Sequence, residues 1–275
     1  MSYGETEAVR GIDFEVMAGE VFAFLGPNGA GKTTTVEILE GYRNRSGGEV
    51  SVLGEDPQHA GRVWRERIGI VLQEGRLDPY LTVRESLGLY AGYFPAPRPI
   101  DEVIELVGLE GKADERARRL SGGQQRRLDV GMALVGDPEL LFLDEPTTGF
   151  DPSARRQFWD VIAGLRDLGK TIFLTTHYMD EAQRLADRVT IIAAGEIVAR
   201  GTPEDLGDRD HQAATIHYRA DGREVKVETT TLVKTLHELT GEALARGEDL
   251  EGLEVTRPTL EDVYLELTAD SGVAE

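Results

Sequence analysis

Apolar and polar positions alternate through Ala8-Val9-Arg10-Gly11-Ile12-Asp13-Phe14-Glu15-Val16, then close into the unbroken apolar run Val21-Phe22-Ala23-Phe24-Leu25. A period of two predicts a half-buried strand, and a short continuous run predicts a strand covered on both faces. Residues 8–25 therefore read as strand signal ending at Gly26. Residues 34–41 change to helical spacing and stop at Gly41, so the order is strand, glycine-rich loop, helix. Strands are further predicted over 48–53 and 68–72. From 74 to 136 the apolar spacing is helical, broken only by Phe94-Pro95-Ala96-Pro97-Arg98-Pro99, which predicts a helical subdomain inserted into the sheet. Short apolar runs return at 140–143, 171–175 and 189–193, the rhythm of a parallel sheet buried by helices. After Thr202-Pro203 the pattern shifts to alternating stretches at 213–218 and 224–228 between helical segments. The expected organisation is one domain over 1–205, with its helical subdomain at about 74–136, and a small C-terminal α+β extension over 206–275.

Composition narrows the class. The chain has 275 residues, 40% hydrophobic and 29% charged, the balance of a chain that folds rather than one that stays disordered. No apolar run approaches the ~20 residues that span a bilayer. The start, Met-Ser-Tyr-Gly-Glu-Thr-Glu, has no basic stretch leading into an apolar one, which predicts no secretory signal and a cytoplasmic location. With no cysteine and five scattered histidines, neither disulfides nor a structural metal is expected. A formal charge of -20 argues against nucleic acid as a partner, because phosphate contacts need a basic face.

The loop Gly26-Pro27-Asn28-Gly29-Ala30-Gly31-Lys32-Thr33 has the residues a phosphate cradle needs. Its glycines let backbone N–H groups converge on phosphate oxygens, and the following helix adds partial positive charge. Lys32 is expected to reach the β and γ phosphates of ATP and Thr33 to bind Mg²⁺, with Thr34 beside them. Leu140-Leu141-Phe142-Leu143-Asp144-Glu145-Pro146 puts two carboxylates at the carboxyl end of a buried strand, where ligands of open α/β sheets sit. Asp144 is assigned to the Mg²⁺ shell and Glu145 to polarising the attacking water. Leu120-Ser121-Gly122-Gly123-Gln124-Gln125-Arg126 opens a helix that Ser121 caps, and its glycines leave the amides open to an anion. The fold class that follows is an α/β P-loop NTPase with a mainly parallel central sheet.

Together, the loop, Gln73, the Leu-Ser-Gly-Gly-Gln segment, the Asp-Glu pair and His177 resemble, in order and spacing, the ATP-binding subunits of ABC transporters. The likeness covers about residues 3 to 205. It implies a head-to-tail dimer with a second copy of the chain, in which each ATP lies between the phosphate loop of one copy and Ser121-Gly122-Gly123, with Gln124, of the other. It further implies that Gln73 links the γ-phosphate and Mg²⁺ to the helical subdomain, and that His177 contacts the γ-phosphate. Asp151 would belong to a loop communicating across the dimer, where Phe150 replaces the family's more usual Leu. Tyr3 aligns with the aromatic that stacks on adenine, although the family strand that precedes it is missing, so a truncated start or a shorter sheet edge is expected. The implied work is driving a separate membrane permease from the inner face of the cell membrane, docked near residues 74–86. The segment Thr176-His177-Tyr178-Met179-Asp180-Glu181-Ala182, the stretch Gly29-Ala30-Gly31-Lys32-Thr33-Thr34-Thr35 and the tail Arg257-Pro258-Thr259-Leu260-Glu261-Asp262-Val263-Tyr264-Leu265-Glu266-Leu267 resemble drug-resistance exporters of the daunorubicin type. An importer subunit is the alternative, and a soluble non-transport ATPase a more distant one.

Overall fold

The computed structural model describes residues 1–3, 6–73, 75, 77–207, 214–220, 223–247, 250–256 and 264. Six strands form the main sheet: β3 (Val21–Leu25), β4 (Ile68–Val71), β5 (Leu140–Asp144), β6 (Thr171–Thr176), β7 (Arg188–Ala193) and β8 (Glu196–Gly201). Their order across the sheet is β4-β5-β6-β3-β7-β8, parallel throughout except for the β7–β8 hairpin at one edge. Every residue of β3, β5 and β6 is buried, as their apolar runs require. Two short strands, β1 (Ser2–Tyr3) and β2 (Thr6–Glu7), make a separate antiparallel pair.

Helices cover both faces. They are α1 (Lys32–Leu39), α2 (Arg62–Arg65), α3 (Val83–Ala91), α4 (Ile100–Leu106), α5 (Gly122–Leu134), α6 (Pro152–Asp167), α7 (Met179–Leu185) and α8 (Pro203–Gly207). The expected helical stretch holds α3, α4 and α5, and the proline cluster separates α3 from α4, with Pro99 capping the latter. One core cluster joins these helices to the sheet through Leu87, Val103, Leu128 and Leu141. Beyond α8 come β9 (Ala214–Ala220), β10 (Arg223–Thr229), α9 (Leu232–Arg246) and β11 (Glu251–Thr256), with strand order β10-β9-β11.

Two expected strands are absent. Residues 8–16 do alternate in burial, and Phe14 stacks on Phe22 at 5.6 Å, yet the segment makes no ladder. Residues 48–53 contain only an isolated bridge, Val52 with Glu55. Both segments lay apolar side chains (Ile12, Phe14, Val50 and Leu53) over the aromatic face of the sheet without joining its ladder. Apolar alternation reports which side chains are covered; a strand also needs a backbone partner at the right register. In the exporter-like tail, residues 257–263 and 265–267 fall outside the described part of the chain. Tyr264 is within it, and packs against the cluster containing Leu25 and Met179.

Candidate active site

Four parallel strands deliver their carboxyl ends to one rim: β3 leads into the glycine-rich loop, β4 to Gln73, β5 to Asp144-Glu145 and β6 to His177. The loop is tight. An added Cβ on Gly26 would fall 2.4 Å from the Ile192 carbonyl oxygen, and one on Gly31, at φ 104°, 2.4 Å from that of Ala8. Only glycine fits at these two positions. Because α1 starts at Gly31 with no side-chain cap, its first-turn amides are left for an anion. Asn28, Gly29 and Thr33 are exposed, Pro27 and Thr34 partly so, and Ala30 is buried with its carbonyl accepting from the Gly195 amide.

Lys32 is buried, and its Nζ donates to the carbonyls of Gly26 at 2.7 Å and Pro27 at 3.2 Å. The same Nζ lies 3.4 Å from Glu145 Oε1. Around the other oxygen of that carboxylate, Oε2, sit Gln73 Nε2 at 3.3 Å, Thr148 Oγ1 at 3.4 Å and His177 Nδ1 at 3.4 Å. Glu145 itself adopts φ 42°, the left-handed region, and its amide donates to Thr175 O and Oγ1. Thr175 Oγ1 also donates to Asp144 Oδ1. Burial pushes the Asp144 carboxyl up, against the opposing pull of that hydrogen bond and of Lys32. The candidates Lys32, Gln73 and His177 thus meet around the Glu145 carboxylate, and Thr175 Oγ1 joins Asp144 to the Glu145 amide.

The Ser121 segment is not among them. Ser121 caps α5 through its Oγ, which accepts from the Gln124 amide, and Gln124 Oε1 accepts in return from the Ser121 amide at 2.9 Å. Ser121 and Gly122 are exposed, and among the described residues no hydrogen bond or ion pair joins 121–124 to the loop of 26–33. Gly123 abuts Ala154, where an added Cβ would lie 2.9 Å from the alanine's own. Asp151 caps α6, its Oδ1 accepting from the amides of Ser153 and Ala154. The family departure Phe150 packs edge-on to Phe158 at 5.9 Å. Tyr3 pairs through its backbone with Thr6, outside the six-stranded sheet.

The family model for ABC transporters matches residues 9–148. A Nod factor export ATP-binding protein I of Burkholderia orbicola (strain AU 1054) is 41% identical over 285 residues, covering 97% of this chain and 93% of that one. The chain belongs to the ABC transporter family, as an ATP-binding subunit. Among solved ABC structures, cbiO1 from Clostridium perfringens, part of the cbiONQ transporter complex, is 30% identical with a TM-score of 0.67, over 72% of this chain and 83% of that one. The ATP-binding cassette MJ0796, a post-hydrolysis dimer bound to ADP and Pi, is 25% identical with a TM-score of 0.64, over 74% and 94%. This subunit therefore binds and hydrolyses ATP with Mg²⁺. The residues fit those groups: open amides and a buried ammonium for phosphates, and for the cation a buried carboxylate at the end of β5 and the exposed Thr33 in the first turn of α1. No described helix is long and apolar enough to cross a membrane.

The sequence reading missed Arg126. Buried on α5, it donates through Nε to Pro146 O at 3.1 Å, through Nη2 to Asp144 O at 2.8 Å, and through Nη1 to Leu72 O. One guanidinium thereby ties α5 to both flanks of Glu145 and to the residue before Gln73. A signal was present, since Arg126, Val130 and Leu134 fall at i, i+4 and i+8 on the buried row. Also missed was Glu181, fully buried, whose Oε1 accepts from Thr147 at 2.9 Å and Trp159 at 3.1 Å. Glu40, buried at the end of α1, is pushed up to about 8 by burial and by the nearby charges of Asp144 and Glu37.

Proposed function

We propose that this ABC subunit powers export through a separate membrane permease, working as a head-to-tail dimer at the inner face of the membrane. The observation that carries the export direction is the 41% identity, across nearly the whole chain, to a protein named for Nod factor export. The cargo class we assign is an amphipathic compound, a drug or a lipid among them, consistent with the resemblance of the tail to drug-resistance exporters. Residues 1–205 form the ATP-binding unit, with 74–136 as its helical subdomain, and 206–275 form an appended unit.

Within the site, Lys32 holds the β and γ phosphates, Thr33 and Asp144 the cation, and Gln73 and His177 the γ end. Mg²⁺, when bound, supplies charge neutralisation to the phosphates. Glu145 takes the water's proton. In the present arrangement its carboxylate accepts from Gln73 and Thr148 and pairs with Lys32, while His177 Nδ1 lies 3.4 Å away without a hydrogen bond. Phosphates arriving at Lys32 compete for those donors and release the carboxylate toward water. The outward position of Ser121 and Gly122 favours their use by a second copy, as does the dimeric form of the MJ0796 cassette. Asp151 sits beside that surface, and Tyr3 is assigned to adenine.

The test is reconstitution with the membrane subunit encoded beside this chain. Inside-out vesicles holding both should accumulate amphipathic dyes or lipids with ATP, and not with a non-hydrolysable analogue. Uptake that runs in the opposite direction and requires a solute-binding protein would overturn the export reading.

A further inference from the structure

The helix that follows His177 carries an acid shut off from solvent. Glu181, on α7, is 0% exposed. Its Oε1 accepts from the Thr147 hydroxyl at 2.9 Å and from the Trp159 indole Nε1 at 3.1 Å, while Oε2 has no hydrogen-bond partner among the described residues. Three segments meet on this one oxygen: α7 itself, the turn at 145–150 that joins β5 to α6, and α6, the helix that Asp151 caps. Burial pushes the Glu181 carboxyl up, against the opposing pull of Thr176, Thr147 and Trp159 and of the Arg155 charge. An apolar side chain of the same size would join α7 to α6 without the cost of burying an acid. What a hydrogen bond adds to such a contact is a fixed distance and direction.

Both segments tied by Glu181 lead to the Glu145 carboxylate. The turn is fastened to the β6–α7 connection twice. At its start the Glu145 amide donates to Thr175 O and Oγ1, and two residues on, Thr147 donates to Glu181. Beside these fastenings Glu145 holds φ 42°, a left-handed conformation that such a residue keeps only where its surroundings over-determine it. Next to Thr147, Thr148 Oγ1 donates to Glu145 Oε2 at 3.4 Å. From the other side, four residues before Glu181, His177 Nδ1 stands 3.4 Å from the same oxygen and has no hydrogen-bond partner among the described residues. With no hydrogen bond on Nδ1, the imidazole takes its place from the backbone that α7 anchors.

We propose that Glu181 is a positioning residue for ATP hydrolysis: through Thr147 it fixes the turn that presents Glu145, and through α7 it fixes His177, so that the base and the γ-phosphate contact keep one spacing. The inference rests on the reading of Glu145 and His177 as the groups that meet water and the γ-phosphate. Among the described residues Glu181 makes no hydrogen bond or ion pair with either, nor with the loop of 26–33, so its loss should be felt in turnover and not in nucleotide affinity.

The experiment measures kcat and KM for ATP hydrolysis by the full chain, and ATP affinity by calorimetry. Glu181→Met, which keeps the length and removes both acceptors, should lower kcat 30-fold or more while ATP affinity stays within threefold. Glu181→Gln, which keeps an oxygen for both donors, should recover at least tenfold of that loss. Thr147→Val should lower kcat about tenfold and add less than threefold to Glu181→Met, the mark of a shared contact. Parental kcat in Glu181→Met, no recovery in Glu181→Gln, or strict additivity with Thr147→Val overturns the inference, and a parallel fall in kcat and ATP affinity assigns Glu181 to the fold and overturns it as well. Where Glu181→Met does not fold, Thr147→Val decides: parental kcat there overturns the inference, and a tenfold loss at unchanged affinity supports it. If Glu145→Gln turns over at the parental rate, the reading of the site falls first; if it is slow while Glu181→Met is parental, only the positioning role falls.

Discussion

Two carboxylates less than one domain apart are treated in opposite ways. Glu145 is met by Lys32, Gln73, Thr148 and His177, all of this chain. Asp129 accepts nothing from the described residues and sees one cation at 4.0 Å that is committed elsewhere. The contrast teaches how far the chain itself satisfies each group. An acid surrounded by its own chain's donors is held in check until a ligand draws them away. Asp129 has no such set of donors among the described residues. Arg126 stands between the two, holding carbonyls beside Glu145 with the same guanidinium that faces Asp129.

The largest effect should come from the satisfied side. Glu145→Gln should lower ATP turnover by about 10³-fold, the usual scale of a general base, while nucleotide binding persists and a closed dimer accumulates. Phosphate release at the parental rate would remove Glu145 from that role. Arg126→Met cuts the link between the two acids, stranding three carbonyls and leaving Asp129 with no nearby cation among the described residues. It should cost about 3–4 kcal/mol in urea unfolding, and a loss under about 1 kcal/mol would show that water replaces the guanidinium. Lys32→Ala should weaken ATP about 100-fold by calorimetry, the scale of a charge-assisted contact in a buried site. Unchanged affinity would count against the phosphate loop.

The one stabilising effect sharpens the unsatisfied side. The Asp129 pKa is raised from 3.8 to about 6 in the folded chain. The folded acid therefore holds its proton where the unfolded one has lost it. Its penalty is full above pH 6, shrinks as pH falls, and is mostly gone near pH 4. Asp129→Asn should consequently stabilise the isolated subunit by about 3 kcal/mol at pH 7 and by under about 1 kcal/mol at pH 4. Thermal scans at the two pH values would check it, and destabilisation at pH 7 would mean that the carboxylate has partners after all.

The sheet was legible where burial alone decides. Unbroken runs such as Val21–Leu25 and Leu140–Asp144 can only be covered strands, and the proline cluster at 95–99 stops a helix wherever it stands. Alternation misled at 8–16 and 48–53 because it reports side-chain environment and not backbone pairing. The edge strand Glu196–Gly201 escaped notice for the reverse reason: it pairs along one side, and its burial is mixed. At the site, the glycines, Lys32 and the Asp-Glu pair were visible because phosphate chemistry restricts both type and spacing. Arg126 showed only as a position on the buried row of α5; its role was hidden, since it acts through backbone carbonyls of segments 18 to 54 positions away. Asp129 was hidden as well. In sequence it is one more acid among fifty aspartates and glutamates, and only its place under Gly75 distinguishes it.

The three carbonyls gripped by Arg126 carry a thermodynamic obligation. If binding of a permease shifts them, and they in turn shift the ATP rim, then nucleotide and permease are linked through a single coupling free energy. Whatever factor the permease adds to ATP affinity, ATP must add to permease affinity. Measuring both factors, with Arg126 present and replaced, would show how much of that exchange this one side chain carries.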